Sequence, residues 1–341
     1  MKKIFTFMFV LVIGFVLVGC QPEAKGTRQG ITDTEIIVGN TAAISGGYES
    51  IGVPFNTALQ AVFAQYNATT EGRKIVFKHY DDKFVGATGL ALTQQLVEDD
   101  KVFALVGHFG TETVNASMDY LLESGVPMVY GVTGVNSMYF EKEPGNNILA
   151  VQPIYKTEGR VLLARVLHES LFGANKNEKL AADKKIVVLY SEDDAGISIK
   201  DGITVEAVNQ NVGSRVEYLP FSASTANSVV TTALSQNPGA IIIAANQIPT
   251  IAVATALRQQ LNLTPVFTSY VNGIGSFTPA QEVEVVDVTG ADGTVTQKNV
   301  AKPLPYDVYA NAWVDIVDAT KPGPTAEMIG GEGTLAGWNF P

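Results

Sequence analysis

The stretch best suited to chemistry is Val102-Phe-Ala-Leu-Val-Gly-His-Phe-Gly-Thr-Glu-Thr113. Val102 to Val106 is a short apolar run that reads as a buried parallel strand. Gly107 ends it, and Gly110-Thr111 leads into a helix predicted over 112–123. Thr111 is a residue type suited to an N-cap, and Glu112 suits the positive end of a helix dipole. A strand that runs through a glycine loop into a helix N-terminus presents backbone N–H groups and a hydroxyl to an anion. The same residues also make an ordinary strand-to-helix turn, and this stretch alone does not separate the two readings.

The remaining reactive side chains point away from catalysis. His79, His108 and His168 fall in three different elements without metal-ligand spacing, and His108 reads as a packing or hydrogen-bonding residue. Asp81-Asp82 and Asp193-Asp194 each end a strand, where such pairs bind a cation, act as acid and base, or serve as turn and cap residues. Gly273-Ile-Gly275 lacks the third glycine of a dinucleotide fingerprint, and neither a phosphate loop nor a nucleophile elbow occurs. No catalytic residue, metal or cofactor is therefore expected. Tyr48, Phe109, Tyr130, Tyr155 and Tyr270 sit at strand ends and loops. Each alone reads equally as core packing; together they favour an apolar ligand body.

The chain around these residues has 341 positions, enough for two domains with substantial cores. Its formal net charge of -11 argues against nucleic acid or an anionic membrane as the main partner. Residues 1–20 read as an address: Lys2 and Lys3, an apolar run from Ile4 to Val18, then Leu17-Val18-Gly19-Cys20. This resembles the bacterial lipoprotein signal, in which the cysteine is lipidated, and it implies a lipid anchor through Cys20. Beyond Cys20 no thiol remains, which excludes disulfides and thiolate chemistry from the mature chain. Residues 21–30 read as a tether.

Strand and helix patterns alternate from residue 35: strands at 35–41, 74–80, 102–106 and 126–130, with helices at 51–67, 87–98 and 112–123. After a break at 141–147 comes a short strand or crossover at 147–152. A helix at 156–172 and strands at 185–190, 215–219, 240–244 and 265–269 follow, with helices reaching 210 and spanning 224–236 and 250–261. This rhythm calls for parallel sheets covered on both faces, in two similar α/β lobes with a cleft at the carboxyl ends of the strands. Residues 281–303 read as a hairpin around Asp292-Gly293. Tyr306, Tyr309, Ala310, Trp313, Val314 and Val317 form a helical stripe.

Several segments resemble the solute-binding proteins of ABC transporters with the type I periplasmic binding fold, branched-chain amino-acid group. They are Thr32 to Thr41 with Ser45-Gly46; Leu105-Val-Gly-His108 with Gly110-Thr111; Val126-Pro-Met-Val129; Gln152-Pro with Tyr155 and Glu158-Gly-Arg160; and Lys185 to Tyr190 with Asp193-Asp194 and Gly196. The likeness covers roughly 31–275, and the subset accepting aromatic acids or apolar amino acids is the most similar. It implies two doubly wound Rossmann-like lobes with a hinge: 31–150 with 276–341 as the N-terminal lobe, and 151–275 as the C-terminal lobe. It also implies an extracytoplasmic protein without enzymatic activity, which captures a small carboxylate-bearing ligand and delivers it to an ABC permease. A ligand sensor of the same fold is the alternative.

In the family the loop holding Thr111 and the loop after Tyr130 bind the ligand's carboxylate, so Gly110, Thr111, Thr133 and Gly134 carry that expectation here. Ser45, Tyr48, Phe109, Tyr130, Tyr155, Asp194, Asn246 and Asn272 complete the implied ligand site. The acidic residue that grips an amino acid's ammonium group in relatives falls near Val271 or Asn272, neither of which is acidic. An α-ammonium group would be desolvated there among neutral partners, which is costly.

Overall fold

The computed structural model describes residues 29–138, 147–289 and 293–312. The expected signal segment, its Cys20 and most of the tether lie outside these residues, as does the stripe from Trp313 onward. The first lobe is a five-stranded parallel sheet in the order β2-β1-β3-β4-β5. Its strands are β1 (Glu35–Ala42), β2 (Lys74–Asp81), β3 (Ala104–Val106), β4 (Met128–Val129) and β5 (Ile148–Leu149). Helices α1 (Glu49–Thr69), α2 (Gly86–Glu98) and α3 (Thr111–Ser124) connect them.

The chain then crosses through 150–154 into α4 (Tyr155–His168). The second sheet has the order β12-β9-β8-β6-β7, again parallel. Its strands are β6 (Ile186–Ser191), β7 (Val216–Phe221), β8 (Ala240–Ala244), β9 (Val266–Thr268) and β12 (Val308–Ala310). Helices α5 (Asp194–Asn209), α6 (Ala226–Ser235), α7 (Gln247–Gln259) and the short α8 (Ile274–Phe277) accompany them. All five residues of β8, Ala-Ile-Ile-Ile-Ala, are buried, as expected of a central parallel strand covered on both faces. The two apolar layers of this lobe meet the sheet from opposite sides, around Ile241 and Ile243 on one and Ile242 with Phe267 on the other.

Both sheets reverse direction beside their first strand, between β1 and β3 and between β6 and β8. In doubly wound sheets ligands bind outside the carboxyl ends of the strands at such a switch point. Here the two switch points belong to lobes that touch. Asn136 donates its backbone N–H to the Ser198 hydroxyl at 3.4 Å and accepts the Lys156 N–H at 2.9 Å. In the second lobe α4 and α5 approach to backbone contact. A Cβ at Gly159 would stand 2.1 Å from the Ile199 carbonyl oxygen, and one at Gly202 2.0 Å from that of Lys156.

Three expectations are corrected. The N-cap of α3 is Gly110, at φ 110°, and Thr111 is the first helical residue. The helix predicted over 156–172 ends at His168, because the chain turns back to pair Phe172 with Glu178. Val308–Ala310 is a strand on the β9 edge and not part of a helical stripe. The assignment of 276–341 to the N-terminal lobe therefore does not hold for these residues. The hairpin expected over 281–303 forms as β10 (Val283–Thr289) against β11 (Val295–Ala301), antiparallel and apart from both sheets.

Candidate ligand-binding site

Between the two switch points lies a cavity of about 200 Å³. Its first-lobe wall is Tyr48, Ile51, Phe84, Phe109, Gly110, Thr111 and Val132; its second-lobe wall is Asn246, Gln247, Tyr270 and Val271, with Gln152 from the crossover and Tyr155 from the start of α4. Six expected residues are thus brought together: Tyr48, Phe109, Gly110, Thr111, Tyr155 and Asn246. No lining side chain carries a formal charge.

The first wall is a chain of hydroxyls at the start of α3. Thr133 donates to the Thr111 Oγ1 at 3.0 Å and accepts the Val135 N–H at 3.1 Å, which fixes the direction of the chain. The Tyr155 hydroxyl lies 3.4 Å from Thr111 Oγ1. Each of these hydroxyls has one proton, so at most one of the Thr111 and Tyr155 protons is used between them, and the other is available to a ligand. No side chain caps α3, so its first-turn N–H groups add to the same donor set. Gly134 stands behind this wall: its carbonyl accepts the Tyr155 N–H at 2.6 Å, and a Cβ there would lie 2.4 Å from the Pro153 oxygen.

An aromatic belt follows. Tyr48 and Phe84 stack with centroids 3.9 Å apart, and Phe109 meets Phe84 edge-on at 6.3 Å. Phe84 takes a left-handed φ of 63° in the turn that Asp82 holds by accepting its N–H at 2.8 Å. Tyr48 reaches across to the second lobe, where its phenol lies beside the Ile248 backbone; burial, then the nearby Asp193 carboxylate, raise its pKa well above the usual tyrosine value.

The second wall is the N-terminus of α7. Asn246 is its N-cap by position, yet its side chain makes no capping bond. That side chain is 4% exposed and has no hydrogen-bond partner among the described residues.

The other expected residues lie off the cavity wall. The Ser45 hydroxyl donates to Asp81 Oδ2, and Asp81 also accepts the Ile44 and Lys83 N–H groups. Asn272 is buried and donates to the Ala245 carbonyl at 2.8 Å and the Thr268 hydroxyl at 2.9 Å. Tyr130 accepts from Gln152, which itself lines the cavity. Asp194 faces the first lobe: it accepts from Asn115 at 2.7 Å and lies beside Glu112. Burial, then the Asp194 and Asp193 carboxylates, push Glu112 up to about 7, so here burial and like charges together outweigh the helix dipole.

Sequence reasoning left Ile51, Phe84, Val132 and Gln247 out of the site. Phe84 had a signal in the paired aspartates before it; the other three are apolar or amide residues whose positions only the assembled lobes reveal. His108 is buried, and its pKa falls to about 3 through desolvation. Its Nδ1 accepts the Thr41 N–H at 3.2 Å, so Nε2 carries the proton and donates to Thr93 at 3.0 Å. It is a neutral structural link. A wider cavity of about 440 Å³ lies along α4 and holds the buried Glu158, which burial pushes up to about 7. Its wall is built from the crossover and the second lobe alone and ends at Ala312, the last residue described before 313–341, so the interlobe cavity is the candidate site.

Comparison with protein-family models matches residues 35–337 to the family described as periplasmic binding protein. The chain belongs to that family. It is a family of extracytoplasmic substrate-binding proteins and not of enzymes. Comparison with curated protein sequences finds no match. Among solved structures, a fatty acid ABC transporter substrate-binding protein from Thermomonospora curvata is similar at 19% identity. The match covers 76% of this chain and 64% of that one, with a TM-score of 0.62. A leucine-binding protein from Thermotoga maritima is 16% identical over 75% of this chain and 70% of that one, TM-score 0.59. A solute-binding protein of an ABC transporter from Rhodopseudomonas palustris, in complex with 3,4-dihydroxybenzoic acid, is 18% identical over 69% and 62%, TM-score 0.54. At these identities the likeness is one of fold: two α/β lobes of the type I periplasmic binding architecture. The chain spans about two thirds of the length of these structures.

Proposed function

We propose that this protein captures a small ligand bearing a carboxylate and an apolar body, and delivers it to the permease of an ABC importer. The observation that carries the reading is the cavity wall itself: the Thr111 and Tyr155 hydroxyls, with Thr133 bonded behind Thr111, and the uncapped N-terminus of α3 meet an aromatic belt with no charged side chain among the described lining residues. Donors gathered in this way suit a carboxylate, and a helix N-terminus favours its charge. No lining carboxylate pairs an ammonium group, so an acid without an α-amino group satisfies the cavity best. At about 200 Å³ the cavity lies below the usual 300–1,000 Å³ of drug-sized sites, which favours a compact aromatic or branched-chain acid over a long acyl chain.

Calorimetric titration of such acids against their amides tests it. The acids are expected to bind at least tenfold more tightly, because bonds to a charged acceptor contribute about 1.5–3 kcal/mol. X-ray scattering should show a smaller radius of gyration at saturation, as hinge closure requires. Amides that bind as tightly as acids would remove the carboxylate from the reading. We further propose attachment to the membrane through lipidated Cys20, in which case Cys20→Ser moves the protein to the soluble fraction with affinity unchanged.

A further inference from the structure

One wall of the cavity carries a polar group that no described residue satisfies. Asn246 is 96% buried, with 4% exposed, and its amide lines the cavity without a hydrogen-bond partner among the described residues. Buried amides almost always find partners, since an unsatisfied one carries the full desolvation penalty. It stands at the N-terminus of α7, a helix of 13 residues with no side-chain cap, and Gln247 beside it also lines the cavity. The chemistry of this end differs from that of the α3 end in one respect. The Asp193 carboxylate lies close enough to act on Tyr48, which lines the same cavity as Asn246 and Gln247. A second anion here would meet that negative charge. A cation would find donors, because the α7 N–H groups and the amide nitrogens point positive ends at it. An uncharged hydroxyl or carbonyl meets neither objection, and an asparagine can donate to it or accept from it.

We propose that the cavity selects a compact ring-bearing acid with an uncharged hydroxyl or carbonyl at the end opposite its carboxylate, and that Asn246 reads this second group. The proposal rests on the carboxylate reading above and adds the second pole to it. Asn246 is then a specificity-determining residue. Between the poles the Tyr48–Phe84 stack and Phe109 hold the ring.

The test titrates the full chain with 4-hydroxybenzoate, its near-isostere 4-methylbenzoate, the dianion terephthalate and 4-hydroxybenzamide. The hydroxy acid is expected to bind about tenfold more tightly than the methyl acid, with terephthalate weaker than both. In Asn246→Ala the gap between hydroxy and methyl acids should shrink to about twofold. Melting temperature checks that the variant is folded; if it is not, the wild-type series still decides, because it needs no variant. Equal affinity for hydroxy and methyl acids overturns the second pole and leaves the carboxylate reading standing. A hydroxy-to-methyl gap that survives in the folded variant overturns the role of Asn246. Terephthalate as the tightest ligand overturns the neutral second group. The amide binding as tightly as the acid, or none of the acids binding, overturns the carboxylate reading and the second pole with it.

Discussion

On the first-lobe side of the cavity every hydroxyl already has a neighbour: Thr133 donates to Thr111, and Tyr155 stands 3.4 Å away. On the second-lobe side, Asn246 is just as deeply buried but bonds to nothing described. The first wall is therefore preorganised, with its hydroxyls held in place by one another before a ligand arrives, whereas the second keeps its amide uncommitted. Preorganised donors contribute most to affinity because little ordering remains to be done on binding. An uncommitted buried amide contributes mainly to selectivity, because a ligand that fails to meet it leaves its desolvation uncompensated.

The largest effect should come from breaking the first wall. Thr111→Val keeps the shape and β-branching but removes the hydroxyl at the centre of the chain. If that hydroxyl meets a carboxylate, affinity should fall about ten- to a hundredfold in calorimetry, from the roughly 1.5–3 kcal/mol of a bond to a charged acceptor. A variant that loses thermal stability but keeps its affinity would reduce the hydroxyl chain to a structural feature.

A smaller effect is expected where the two walls are joined. Tyr48→Phe retains the stack on Phe84 but removes the phenol oxygen, which lies beside the Ile248 backbone of the second lobe. Affinity should fall about two- to tenfold, the scale of one neutral polar contact. The loss should appear mainly as faster dissociation in stopped-flow measurements, since that contact forms only when the lobes meet. Unchanged dissociation would mean that the phenol does not latch the lobes.

The smallest effect sharpens the comparison through pH. Glu112 of the first lobe faces Asp194 and Asp193 of the second, with Asn115 also on Asp194, and is raised from the ordinary 4.5 to about 7. With the lobes apart Glu112 regains water and titrates near its ordinary value. Bringing them together therefore takes up a proton between pH 4.5 and about 7, and closure weakens as pH rises through that interval. The limit is tenfold per pH unit; solvent reaching the half-exposed carboxyl reduces this to about two- or threefold. Glu112→Gln should flatten the dependence of affinity on pH over that range. An undiminished slope in the variant would assign the proton to another group.

Much of the fold was legible because the buried strands are written as unbroken apolar runs: Ala240–Ala244 and Ile186–Ser191 have little other reading. The Thr111 wall of the cavity was legible for a related reason, since Gly107, Gly110 and Thr111 fall within five residues between a strand and a helix. What failed depended on tertiary partners. Tyr306, Tyr309 and Ala310 match a helical period, but β9 offers an open edge, and three residues from Val308 to Ala310 pair with it. The Tyr306 hydroxyl donates to the Ala254 carbonyl at 3.0 Å and holds the approach in place. Asn272 and Ser45 looked free to bind a ligand, but their polar atoms are held by Ala245, Thr268 and Asp81. A sequence shows which side chains can bond, and only the packed structure shows which bonds are already made.

The glycine contact between α4 and α5 has a practical consequence. With no Cβ at Gly159 or Gly202, the two helices have backbone against backbone and nothing compressible between them. Tyr155 starts α4 in the cavity, and α5 runs from Asp194 at the cleft to Asn209 at the outer surface. The pair is therefore a stiff pointer fixed to the ligand. Val208, 70% exposed, lies 14 residues beyond Asp194, or about 21 Å along the helix at 1.5 Å per residue. A fluorophore at Val208, paired with one on the first lobe, would turn lobe rotation into a change of energy transfer without touching the ligand, and the protein would serve as the recognition element of an optical sensor.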